Sequence, residues 1–127
     1  MPQRQQISSG SPWEPTYGFS RALRVGNMVF VAGTIGTDPD GNPVGDFEAQ
    51  ARCVFEKIRV ALEASGVTLR DVVRTRMYLV DKAHADLAGR IHAEYFGDVR
   101  PAATMVQVAG LVGEGFLFEA EADAVVG

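Results

Sequence analysis

The spacing of apolar residues changes twice along this chain, and that change constrains the fold more than any other feature. From Phe47 to Leu62 the apolar residues Phe47, Ala51, Val54, Ile58, Ala61 and Leu62 recur at steps of three and four. Glu48, Arg52, Glu56, Arg59 and Glu63 fall mostly elsewhere on the wheel, which predicts an amphipathic helix. Asp46 offers a carboxylate to the free amide hydrogens of its first turn, and Ser65-Gly66 offers a left-handed closing residue at little cost. On either side of this stretch the period falls to two. Arg21–Val25 and Met28–Gly33 read as a hairpin joined at Gly26-Asn27, after which a turn-rich stretch, Asp38 to Pro43, leads to Asp46. Val72–Val80 alternates as a strand, with Val73, Thr75, Met77 and Leu79 on one face and Val72, Arg74, Arg76, Tyr78 and Val80 on the other.

Asp81 is placed to cap a second helix with an inward stripe of Leu87, Ile91, and Tyr95 or Phe96, closed by Gly97. Arg100-Pro101 resets the backbone, and Ala103–Ala109 and Phe116–Val126 read as strands around the Gly-rich loop 110–115. The order ββαβαββ predicts an α+β domain: a mixed sheet with both helices on one face. Residues 1–18, rich in Ser, Pro, Gly and Gln, are expected to form an irregular arm outside the sheet, with Trp13 and Tyr17 needing shelter. The uncovered face carries apolar side chains that water disfavours, so association with other copies is expected.

With 127 residues the chain makes a single domain, long enough to bury a core without disulfide or structural metal. Its 12 basic and 16 acidic residues leave a net charge of −4, which supplies no general attraction for nucleic acid or anionic lipid. The longest apolar runs, such as Met28–Ala32, fall far short of the roughly 18 to 20 residues of a membrane span. The polar start, Met1 to Gln6, does not resemble a secretory signal, and Cys53 is the only cysteine, so a cytoplasmic location is expected.

Familiar catalytic sets are mostly missing. His84 and His92 stand eight apart, unlike the four-residue spacing that brings two imidazoles onto one metal, so no metal site is expected. Cys53 lies about two turns into its helix, where a packing role is the common one. The Gly33–Gly36 and Gly41–Gly45 glycines lack the phosphate-loop spacing and its following Lys. The last strand carries more. Glu119, Glu121 and Asp123 stand at two-residue steps and project from one face about 6 to 7 Å apart. For Glu121 and Asp123 the plain reading is a charge ladder with Arg74 and Arg76. Glu119, nearest the apolar start of the strand, is the carboxyl that desolvation would raise toward water-handling use.

Arg21-Ala22…Val25-Gly26-Asn27-Met28-Val29-Phe30-Val31-Ala32-Gly33, Gln50-Ala51-Arg52, Leu62-Glu63-Ala64-Ser65-Gly66-Val67, Asp71-Val72-Val73-Arg74-Thr75, Pro101-Ala102 and Val106-Gln107-Val108…Leu111…Glu119-Ala120-Glu121-Ala122 together resemble the reactive-intermediate deaminase (RidA/YjgF) family. The ordered set spans nearly the whole chain. The resemblance implies a chorismate-mutase-like fold, a homotrimer with sheets facing one another at its centre, and a small-molecule cleft between neighbours. Active members hydrolyse 2-imino acids to 2-keto acids and ammonia without metal or cofactor. An arginine directly after the Pro-Ala pair grips the substrate carboxylate, and a glutamate on the last strand positions water.

By that resemblance Glu119 is the glutamate, provided the Gly113-Glu114-Gly115 loop carries one extra residue, but Ala103 occupies the arginine position. Alanine binds no carboxylate, so deaminase activity is expected to be weak or absent. Phe19 matches a loop aromatic that is commonly Tyr, Ala32 matches a small polar residue beside Gly33, and Met105 follows two positions after Ala103 on the same strand face. Arg21 and Arg100 are the candidate substitutes for the missing arginine; the plainer readings are a solvated Arg100, and an Arg21 paired with Glu14 or Glu119. Trp13 either packs over a subunit edge or lines the cleft. The leading expectation is therefore a trimer binding a small, partly apolar metabolite. One alternative is hydrolysis of a C=N or related bond with Glu119 placing water. Another is RNA handling, which has been described for family members but which the charge argues against.

Overall fold

The structure, a computed structural model, describes residues 3–127. Its single sheet contains six strands: β1 (Arg4–Ile7), β2 (Ala22–Val25), β3 (Met28–Ile35), β4 (Val72–Leu79), β5 (Ala102–Gln107) and β6 (Phe118–Val125). The strand order is β1-β2-β3-β6-β4-β5, with β4 and β5 parallel and the remaining neighbours antiparallel. Two long helices, α2 (Phe47–Ala64) and α3 (Ala85–Phe96), pack on the same core, and a short helix α1 (Trp13–Tyr17) lies between β1 and β2.

The hairpin forms as its turn chemistry dictates: β2 and β3 pair from Val25↔Met28 to Ala22↔Val31, and Gly26 takes the left-handed conformation at φ 61°. Asp46 caps α2 by accepting the Ala49 amide hydrogen at 3.0 Å, and the chain leaves the helix through Gly66 at φ 83°. Phe47, Ala51, Val54, Phe55, Ile58, Ala61 and Leu62 form its buried face. They meet alternate residues of the sheet, Val29, Val31, Met77, Leu79, Phe118, Ala120, Ala122 and Ala124, which are all buried. Because three of the four inward residues of the central strand β6 are alanines, the helices can approach the sheet closely.

Several expectations are corrected. Of the irregular arm expected over residues 1–18, positions 1 and 2 lie outside the described residues; within the rest, Arg4–Ile7 pairs antiparallel with β2 as the edge strand, and Trp13–Tyr17 is helical, closed by Gly18 at φ 75°. An exposed edge strand shows no inward alternation, so its pairing leaves little trace in hydropathy. On β4 the order of the first two residues is inverted. Val72 is buried and Val73 exposed, because the register with β6 shifts between Val72 and Arg74. Asp81 caps a short 3-10 turn, Lys82–His84, that precedes α3. Gly97 does not close α3 in the left-handed region; its φ is −58°, a Cβ there would crowd the Ala93 carbonyl, and Arg100 takes the positive φ of 52°. Among the described residues no helix is long and apolar enough to cross a membrane.

One face of the sheet carries the helices. The other presents Phe30, Arg74, Arg76, Tyr78, Glu119, Glu121 and Asp123, half-buried or exposed, on the side away from the buried residues that meet α2 and α3. Every candidate residue is positioned relative to these two faces.

Candidate functional site

The site is organised around an irregularity in β3. Val31 pairs with Ala122 and Thr34 with Ala120, so Ala32 and Gly33 together oppose a single residue of β6, which is a β-bulge. The bulge turns the Gly33 carbonyl outward, where the Arg21 guanidinium donates to it from Nη2 at 2.6 Å. On the other side of the same glycine, the Oε2 atom of Glu119 occupies the space a Cβ would fill. Gly33 is required for room and not for a left-handed backbone: any side chain there would displace the Glu119 carboxyl.

Arg21 and Glu119 therefore flank one residue, both half-buried. Burial raises the Glu119 carboxyl above its ordinary value; Arg21 opposes this, and Glu121 adds to it. Burial likewise lowers the guanidinium's affinity for its proton, against the pull of Glu14 and Glu119. The guanidinium lies 5.7 Å from the centre of the Phe19 ring. Arg21 forms no ion pair among the described residues, and its Nε is buried without a partner. The expected pair with Glu14 is replaced: Glu14, 5% exposed, accepts hydrogen bonds from the Ser9 amide at 3.1 Å and the Ser9 hydroxyl at 2.6 Å. Burial pushes the Glu14 carboxyl up, but the hydrogen bonds from Ser9 and Ser8 and the charge of Arg21 hold it below its ordinary value.

The other carboxylates of β6 behave as the plain reading expects. Arg76 lies 3.2 Å from Asp123 and 3.5 Å from Glu121, and the Tyr78 hydroxyl donates to Glu121. Arg74 takes no part in this ladder among the described ion pairs.

Phe19, Arg21, Ala32, Gly33 and Glu119 thus form one group. The remaining candidates lie elsewhere. Ala103 is exposed on the outer strand β5 in register with Thr75, and Met105 pairs with Met77 and packs partly against the core. Since Thr75 and Met77 point toward the helices, the register puts Ala103 and Met105 on the helix side, two strands from Glu119. Arg100 is exposed and donates to the Gly97 carbonyl at 3.3 Å, away from Glu119. Trp13 is 57% exposed and stacks on Tyr17 with centroids 5.5 Å apart.

Sequence reasoning missed the bulge and the Ser9–Glu14 contact. A glycine inside a strand pattern at Ala32-Gly33 was the available signal for the first; nothing local announced the second. Two open depressions flank the group. One of about 570 Å³ runs over Phe30 beside Arg4, Arg76 and Glu121, and one of about 410 Å³ lies between Ile7, Glu14, Phe19 and Ser20. Neither encloses Glu119.

A bulged strand thus seats a raised carboxyl beside a guanidinium that forms no ion pair among the described residues, on the open face of a mixed α+β sheet. Residues 10–126 match the family model described as endoribonuclease L-PSP. The 3-aminoacrylate deaminase RutC of Acinetobacter baylyi is 36% identical over 94% of each chain. An uncharacterized protein of Streptomyces coelicolor is 36% identical over 97% of this chain and 92% of its own. A Mycobacterium tuberculosis crystal structure, a member of the highly conserved YjgF/YER057c/UK114 family, superposes with a TM-score of 0.89 at 44% identity, covering 98% of this chain and all of that one. The chain belongs to the RidA/YjgF/YER057c/UK114 family.

Proposed function

We propose that this chain binds a small metabolite in clefts completed by neighbouring copies of itself, with Glu119 as the proton-handling group. Hydrolysis of 2-imino acids is weak or absent because Ala103 stands at the carboxylate-gripping position. The observation that carries this reading is the seat of the Glu119 carboxyl: held over Gly33, half-buried, raised, and beside Arg21. A carboxyl with increased proton affinity is suited to take a proton from water and return it.

The homotrimer is part of the same proposal. Phe30, Met28 and Val125 are exposed on or beside the face that no helix covers, and in one chain Ala103 and Glu119 lie on opposite faces of the sheet. A second copy is what would bring an edge like β5 over the Glu119 end of another sheet, and would turn the open depressions into enclosed clefts.

Hydrolysis of a C=N bond needs only water. Glu119 removes a proton as the water oxygen bonds to the imine carbon, and the nitrogen gains a proton. The carbinolamine then loses ammonia as the C–N bond breaks and the carbonyl forms. For a 2-imino acid the missing guanidinium at position 103 removes a charge-assisted grip, costing on the order of 2–5 kcal/mol of transition-state binding. The RutC relative's activity on 3-aminoacrylate supports the reaction class. RNA handling is less well supported, because the open face presents the row Glu119, Glu121, Asp123 toward any phosphate backbone.

The test follows loss of 2-iminopropionate, generated in place by an amino-acid oxidase, above its spontaneous rate. Wild type is expected to add little, Ala103→Arg to gain at least tenfold, and Ala103→Arg with Glu119→Gln to lose that gain. Fast hydrolysis by wild type, or a gain indifferent to Glu119, contradicts the reading.

A further inference from the structure

Resting on the reading of Arg21 and Glu119 as parts of one site, we infer that Arg21 is this chain's anion grip, and that a small monocarboxylate is taken up there together with a proton on Glu119.

The geometry that points to this lies around Gly33. Arg21 is a half-buried cation with one N–H bond satisfied by the Gly33 carbonyl, no ion pair among the described residues, and a buried Nε that has no acceptor. Glu14 still attracts it through its charge, but the Glu14 carboxylate is hydrogen-bonded to Ser9 and makes no ion pair with the guanidinium. A guanidinium in this condition gains from an incoming carboxylate, which supplies charge-assisted bonds without asking the protein to desolvate a second group of its own. The guanidinium carbon lies 5.7 Å from the centre of the Phe19 ring, which offers an apolar surface to the rest of a small ligand.

Glu119 then enters through electrostatics. It feels Arg21 and Glu121 directly, Tyr78 faces it from β4, and Glu14 stands behind Arg21 on α1. A carboxylate placed between Arg21 and Glu119 repels an ionised Glu119 and cancels part of the guanidinium's pull. Both effects favour the protonated form. Binding and proton uptake are therefore linked, and affinity falls as pH rises through the Glu119 titration. The inference concerns recognition and not turnover. It gives the site a preference for monoanions over neutral analogues despite the loss at Ala103.

The probe is pyruvate, with uncharged methyl pyruvate as its comparison, measured by titration calorimetry in two buffers of different ionisation heat. Wild type is expected to bind pyruvate with uptake of up to one proton and to lose affinity by about tenfold per pH unit above the Glu119 midpoint. Methyl pyruvate shows neither effect. Glu119→Gln should bind pyruvate more tightly and without pH dependence. Arg21→Met should weaken pyruvate binding at least tenfold, and Arg21→Lys several-fold, because an ammonium lacks the fork. If Arg21→Met does not fold, the Lys variant and the Glu119→Gln profile still decide. Absence of pyruvate binding, binding without proton uptake, or equal binding by the Arg21 variants overturns the inference. Hydrolysis that depends on Glu119 while pyruvate ignores Arg21 sinks the inference alone; indifference of both hydrolysis and binding to Glu119 sinks the proposed function with it.

Discussion

Strand β6 carries two different chemistries on its two sides. Phe118, Ala120, Ala122 and Ala124 point toward the helices and are almost wholly removed from water, whereas Glu119, Glu121 and Asp123 point the other way and stay half-buried. Both sets come from one eight-residue segment with a period of two. The inward set is fixed by packing, so changes in its volume are felt as stability. The outward set is fixed by charge, and on the function proposed above changes there are felt as binding and association.

The largest expected effect tests the inward side. Phe118→Ala removes a fully buried ring that packs against Phe47 and Phe55, with centroids 5.6 Å away in each case. It should cost roughly 3–5 kcal/mol of unfolding free energy in a denaturant titration. A loss below about 1 kcal/mol would mean that the core closes around the gap and that packing does not fix this face.

The outward side should respond in the opposite manner. Gly33→Ala introduces a Cβ where Glu119 Oε2 lies, at a position with no left-handed backbone requirement. Its denaturation midpoint should stay near that of wild type, while the Ala103→Arg background loses at least tenfold in imine hydrolysis. Arg76→Ala breaks only partly exposed contacts to Glu121 and Asp123, so the cost within one chain is below about 1 kcal/mol. A concentration-dependent loss of assembly in sedimentation would show that this ladder also faces a second copy.

A smaller effect concerns pH. His92 accepts from or donates to the Thr75 hydroxyl at 2.9 Å beneath the sheet, and burial pushes its proton affinity down. The folded state therefore disfavours the imidazolium, so stability is full above the ordinary histidine range and declines as pH falls through it. His92→Phe should flatten the melting temperature between pH 7.5 and 5.5, to within about the change expected of the other groups. An unchanged slope would remove His92 as its source.

What could be read from sequence follows the same division. The hairpin at Gly26-Asn27, the Asp46 cap and the α2 stripe were legible because each is written in adjacent residues by turn chemistry or by period. The edge strand Arg4–Ile7 was not, since its only inducement is the unpaired side of β2. The inversion of Val72 and Val73 arises from a register shift against β6 that neither valine announces. At the site, Glu119 is legible from its place on the last strand, whereas Phe19, Ala32 and Gly33 are candidates through the family resemblance and Arg21 as a substitute for the arginine that resemblance lacks. The bulge that joins them, and the diversion of Glu14 to Ser9, depend on contacts between segments distant along the chain or without a motif. Ala103 and Met105 do not meet Glu119 within one chain, so the part proposed for them in the site requires a second copy.

The account depends most on the condition of one carboxyl. Carbon-13 NMR titration of Glu119, in wild type and in Gly33→Ala, measures it directly. The structure predicts a midpoint above that of an ordinary glutamate in wild type and a return toward the ordinary value when the alanine pushes the carboxyl off its seat. A wild-type midpoint at or below the ordinary value, or one unmoved by Gly33→Ala, would contradict it.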